Sequence, residues 1–148
     1  MVLQQIFSEK NIILNLTSED KDELFEEMIQ NIVDNNPAVN RAEALDALLD
    51  RENKMSTGIL PQIAVPHCVL NGINGVYGAL GISKKGINFD SLDGNPVNYV
   101  FMFIFGEDSS EIHLKALKEL AEILQNRNFL PEMAKVKSCA GVLELLKL

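Results

Sequence analysis

"VNYVFMFIF", Val97–Phe105, is the stretch on which the fold turns. It is nearly all apolar and β-prone, the pattern of a strand covered on both faces rather than one with a wet side. Such a strand needs neighbours in its sheet and layers above and below it. The preceding run "GVYGALGIS" (Gly75–Ser83) supplies a second long strand. Between the two, "KKGINFDSLDGNPV" holds Gly86 and the Asp93-Gly94 pair, which predicts a short strand and a turn. The middle of the chain therefore reads as a β-meander.

Outward from this centre the apolar spacing becomes helical. "GEDSSEIHLKALKELAEILQN" places Ile112, Ala116, Leu117, Leu120, Ile123 and Leu124 on one face, with a serine as candidate cap. "FLPEMAKV" and "SCAGVLELLKL" predict one short and one moderate closing helix, the last capped by Ser138. Toward the N-terminus, "NIILNLT" (Asn11–Thr17) predicts a short strand. Ser18–Asn35 then reads as an amphipathic helix with Glu19, Asp20, Asp22 and Glu23 in the first turn, where the helix dipole favours negative charge. Pro37 interrupts. Asn40 and Glu43 have capping-box spacing for a second helix running to about Glu52. "NKMSTGILPQ" is rich in hydroxyls, Gly and Pro and predicts a loop, after which "IAVPHC" is a short strand running out of the core. Helices alternating with strands imply an α/β fold, a mixed β-sheet sandwiched by helices.

A chain of 148 residues with 47% hydrophobic composition can bury a substantial core, and a single domain over residues 1–148 is expected. Its net charge of -8 would repel a phosphate backbone or an anionic membrane, so no nucleic acid is expected as a partner. No apolar run approaches the roughly 20 residues that cross a bilayer, and "MVLQQIFSEK" lacks the regions of a signal peptide. A cytoplasmic protein is expected. Its two cysteines, Cys68 and Cys139, are too few for a disulfide framework.

The chain has two histidines, so any imidazole chemistry falls on His67 and His113. His67 follows Pro66, which donates no backbone N–H; sheet pairing is expected to stop there and present the next side chain at a strand end. His113 lies early in the third long helix, at the edge of its apolar face. Taken alone, each reads as an ordinary partly buried histidine. Zinc is disfavoured: His67 and Cys68 are adjacent and point to opposite faces of an extended chain, and no paired ligand spacing exists. No metal and no cofactor is expected. A Cys68 nucleophile activated by His113 is a second chemistry, set against the common burial of small apolar cysteines. No Walker-type phosphate loop is present. There remains a neutral imidazole as phosphoryl acceptor, needing donors around three phosphate oxygens. Arg51, the hydroxyls of Ser56 and Thr57, N–H groups near Gly58, and His113 are the candidate donors.

These residues together resemble the fructose-mannitol class of IIA domains (EIIA type 2) of the bacterial phosphoenolpyruvate-dependent sugar phosphotransferase system, including the nitrogen-regulatory IIA proteins. The likeness runs in order through "NIILNLT", "LLDRENKMSTGI", "IAVPHC", "GINFDSLDGNPVNYVFMFIF" and "HLKALKELAEIL", nearly the whole chain. It implies that His67 is phosphorylated by the carrier HPr and that the phosphoryl group passes to a cysteine of a IIB component of a sugar permease. By the same likeness His113 stabilises the phosphoryl group, with Arg51, Ser56 and Thr57 beside it, and a membrane is met only through a permease complex. A regulatory IIA, whose phosphorylation state governs binding to target proteins, is the alternative. A third reading is a IIA-like module without transfer activity. It is motivated by two departures from the family's usual "STGIGxGIAIPHG": Leu60, Pro61 and Gln62 fill the glycine-rich loop, and Cys68 follows the histidine.

Overall fold

The computed structural model describes residues 1–147. A five-stranded mixed sheet lies between two layers of helices. Its strands are β1 (Ile12–Ile13), β2 (Ile63–Ala64), β3 (His67–Leu70), β4 (Val76–Ile87) and β5 (Val97–Gly106). The helices are α1 (Val2–Ile6), α2 (Lys21–Asn35), α3 (Arg41–Lys54), α4 (Ser110–Leu124), α5 (Phe129–Met133) and α6 (Cys139–Leu145). Leu148, the last residue of the expected closing helix, lies outside the described residues.

β5 is central, as its composition requires. β4 runs antiparallel to it on one side, and β2 and β3 run parallel to it on the other, end to end. Its side chains alternate strictly from residue 99 onward. Val100, Met102 and Ile104 enter one core with α2 and α3; Tyr99, Phe101, Phe103 and Phe105 enter the other with α1, α4, α5 and α6. Two independent cores on one strand explain why a polar alternation is missing from its sequence.

Several expectations differ. The expected meander reduces to its antiparallel β4–β5 pair, because the strand expected between them does not form on its own. No separate short strand follows Ser83; β4 itself continues to Ile87 through an irregularity between Ile82 and Ile87. "NIILNLT" is a strand only at Ile12–Ile13, although Leu16 N–H still reaches the Ile82 carbonyl at 2.9 Å. The caps fall at Asp20, Asn40 and Ser138, each accepting a backbone N–H from three residues on. Ser109 precedes α4 but does not cap it: its hydroxyl turns to the Gly75 carbonyl and the Asp108 carboxylate instead.

Candidate active site

His67 does not end a strand, as the proline suggested; it opens β3. Pro66 lacks a donor but keeps its carbonyl, which accepts the Phe103 N–H at 3.0 Å, so pairing with β5 crosses the proline. What the break between β2 and β3 frees is the Val65 carbonyl. That oxygen lies 2.8 Å from His67 Nδ1. A carbonyl can only accept, so Nδ1 carries the proton, and Nε2 of the neutral ring presents its lone pair.

Register decides which way the ring points. His67 pairs with Phe103 and Cys68 with Ile104, so the imidazole shares the face that carries α4 while the thiol enters the opposite core. On the α4 side it meets His113, ring centroids 5.8 Å apart and nearly perpendicular. His113 is itself stacked on Phe105 at 3.9 Å and 11°, and Phe105 on Phe103. The aromatic residues of β5 thus serve as a platform for the second imidazole.

The loop after α3 forms the other wall. Glu52 is only 5% exposed, and its carboxylate accepts the Thr57 N–H at 2.9 Å, the Thr57 hydroxyl at 2.7 Å and the Lys21 ammonium at 3.1 Å. Three charge-assisted contacts hold the loop in one conformation. The Gly58 N–H bonds the Ser56 hydroxyl, and Gly58 lies so close to the chain at Phe89 and Ser91 that a Cβ would sit 2.8 Å from Ser91 Cβ. Arg51 donates to the Met55 carbonyl at 3.0 Å, and among the described residues no carboxylate pairs with it. Its guanidinium remains available to an anion.

The five residues singled out in the sequence therefore converge, on two sides of one ring. Arg51, Ser56, Thr57 and His67 line an apolar cleft of about 200 Å³. Arg51, His67 and His113 line a second cleft of about 410 Å³, with Asp50 and Lys54 at its rim. Thr57 is 5% exposed and its hydroxyl proton is committed to Glu52, so it shapes the loop. Glu52, Lys21, Val65 and Phe105 had no signal in the sequence beyond the Glu after Arg51; each acts through tertiary contact.

Burial pushes His67 below the ordinary histidine value; the Val65 carbonyl opposes this, Arg51 adds to it, and Glu52 opposes. His113 is lowered too, by burial and then by the charge of His67. A ring that resists protonation keeps a nucleophilic nitrogen. Burial pushes the Cys68 thiol up to about 12, and its side chain lies in the α2–α3 core, which removes the thiolate chemistry. Among the described residues no cluster of His, Cys, Asp or Glu is arranged to hold a metal ion.

Residues 5–148 match the family described as "Phosphoenolpyruvate-dependent sugar phosphotransferase system, EIIA 2". The chain belongs to that family. It is 30% identical over 147 residues to the PTS system fructose-specific EIIABC component of Bacillus subtilis, covering 99% of this chain but 23% of that protein. It is also 30% identical over 122 residues to a nitrogen regulatory protein of Pseudomonas aeruginosa, covering 82% of this chain and 79% of that one. The crystal structure of the nitrogen regulatory protein IIA-Ntr from Neisseria meningitidis superposes with a TM-score of 0.91 at 26% identity, covering 99% of this chain and all of that one. The EIIA 2 family is one of phosphoryl-transfer components, and the mixed sheet between helices is the fold of its relatives. Among the described residues, no helix is long and apolar enough to cross a membrane.

Proposed function

We propose that this chain is a phosphocarrier: His67 Nε2 accepts a phosphoryl group from phospho-HPr and passes it to a cysteine of a IIB partner for sugar uptake. The observation that carries the reading is the Val65 carbonyl on Nδ1. It fixes the tautomer that leaves Nε2 free, in a cleft shared with an unpaired guanidinium and a second imidazole. In the accepting step the bond from phosphorus to the donor nitrogen breaks as the bond to Nε2 forms. His67 becomes a phosphorylated imidazolium, its positive ring stabilised through Nδ1–H by Val65. Arg51 and His113 face the three phosphoryl oxygens, and transfer onward to a thiolate leaves the ring neutral again.

The surface around His67 suits a protein partner. Met55, Ile59, Leu60, Val69, Ile112 and Leu114 are exposed and border the two clefts or flank His113. An apolar rim around a polar centre is the ordinary composition of a docking patch. The B. subtilis relative is named as joining A, B and C components, which supports a IIB as receiver.

A second reading, a regulatory IIA whose His67 phosphorylation alters binding to target proteins, is supported by the likeness to IIA-Ntr over essentially its full length. Incubation with phosphoenolpyruvate, enzyme I and HPr, followed by mass spectrometry, tests what both readings share. An acid-labile adduct lost in His67→Ala is expected; no adduct on the intact chain with competent donors refutes phosphoryl transfer. Addition of IIB then separates them, since a transport carrier is discharged and a purely regulatory one is not.

A further inference from the structure

A third cleft, of about 370 Å³, lies on the same face of the sheet as His67 but at the opposite end of β5. It is bordered by Asn98 and Tyr99, four to seven residues along the strand from Phe103 and Phe105. At about 3.3 Å per residue this is roughly 13 to 23 Å from the histidine pair. Its floor is apolar, with Ile82 and Met133, and its polar lining includes Asn15, Gln62, Lys84, Asn98, Tyr99 and Lys137.

The charge of this lining is the first sign of purpose. The chain has 21 acidic and 13 basic residues, yet the cleft's only charged side chains are two lysines, and no carboxylate borders it. Among the described residues neither lysine is ion-paired. The second sign is Tyr99. It is 6% exposed and its ring packs in the α4–α6 core. Among the described residues no buried side-chain oxygen or nitrogen lacks a partner, so the phenol, which bonds none of them, is the wet end of a buried ring and opens into the cleft. Asn98 donates its amide hydrogens to the Ser83 and Lys84 carbonyls, which leaves its side-chain oxygen without a donor.

The third sign is backbone. Gln62 borders this cleft with a left-handed φ of 66°, while its carbonyl accepts the N–H groups of both Asn98 and Tyr99. The cleft thus abuts the end of the loop whose earlier residues, Ser56 to Leu60, wall the His67 site.

We propose that this cleft binds a small organic dianion, a carboxylate or phosphate ester whose charged group lies between Lys84 and Lys137 with Tyr99 donating to it, and whose carbon skeleton rests on Ile82 and Met133. Two unpaired ammonium groups set the charge; the cleft, near the lower end of ligand-site volumes, sets the size. The site stands independently of what His67 does.

Amide NMR of the full chain at low ionic strength, titrated with succinate, glycerol 3-phosphate and inorganic phosphate, tests it. Saturable shifts centred on Gln62, Lys84, Asn98, Tyr99 and Lys137 are expected for succinate or glycerol 3-phosphate. The double variant Lys84→Met/Lys137→Met should weaken binding at least tenfold, and Tyr99→Phe, which keeps the ring, by about tenfold, as for loss of a hydrogen bond to a charged group. Arg51→Met should leave these shifts in place. Shifts confined to Arg51, Ser56, His67 and His113 would assign the anion to the phosphoryl site and overturn the proposal. So would the absence of saturation for all three probes up to about 20 mM, weaker than any useful small-ligand affinity. Undiminished binding by a folded double variant would overturn it equally.

Discussion

The two walls of the His67 site are built from different materials. The loop wall is polar: one buried carboxylate, Glu52, gathers a lysine, a hydroxyl and a backbone N–H. The strand and helix wall is aromatic: His113 is held by stacking on Phe105, with Phe103 behind it. Hydrogen bonds fix direction and fail abruptly when one partner is removed, whereas stacked rings tolerate small displacements. The wall that shapes the loop is the brittle one, and the aromatic wall has room to adjust.

The largest effect should come from the ring between the walls. His67→Ala is expected to abolish the acid-labile adduct while the far-ultraviolet spectrum stays unchanged, read by mass spectrometry and circular dichroism. Next, His113→Ala should slow transfer roughly tenfold to a thousandfold, the range for one preorganised donor, with the fold intact. Stopped transfer kinetics measure it, and unchanged rates in both directions would reduce His113 to packing on Phe105.

The polar wall should break through stability. Glu52→Ala strands Thr57 N–H and the Lys21 ammonium in a mostly buried setting, and a loss of about 2 to 4 kcal/mol in urea unfolding is expected. A loss below about 0.5 kcal/mol, the level of an ordinary surface substitution, would mean that the network is ornamental.

Acid should act on the central ring and on the aromatic wall. Both imidazoles are held below 6.5 in the folded chain, so the unfolded chain binds protons that the folded chain refuses. Their contribution to stability is full above about pH 6.5 and falls as the pH drops from there toward the lowered folded-state values. Titration of the ring C–H resonances should give midpoints below 6.5 for both histidines, moving toward 6.5 for His113 in His67→Ala. Smallest of all, Gln62→Gly should stabilise by about 0.5 kcal/mol. Relief of a left-handed non-glycine residue, about 1 to 2 kcal/mol, outweighs the extra freedom of glycine in the unfolded chain, about 0.5 to 1 kcal/mol. Thermal denaturation measures it.

Gln62 also shows what was legible and what was not. The family likeness marked Leu60, Pro61 and Gln62 as filling a loop usually rich in glycine; only the backbone showed that Gln62 holds a left-handed conformation. Arg51, His67 and His113 could be picked out as chemical types, and the structure brings them together. Helix α1 had no signal. Five residues are too few to nucleate a helix, and this one exists because Glu119 of α4 accepts the Val2 and Leu3 N–H groups and Leu3 is wholly buried.

By itself the sequence determined the layered α/β class, since a strand as apolar as Val97–Phe105 is stable only between two cores, and it determined the long helices, since their periodicity and caps are local. It also supplied the family likeness. Strand order, the turn of the Val65 carbonyl toward His67, and the commitment of Thr57 to Glu52 were decided only in the tertiary structure. Each depends on partners far apart in the chain, and a residue's local pattern carries no record of which distant group will accept its hydrogen bond.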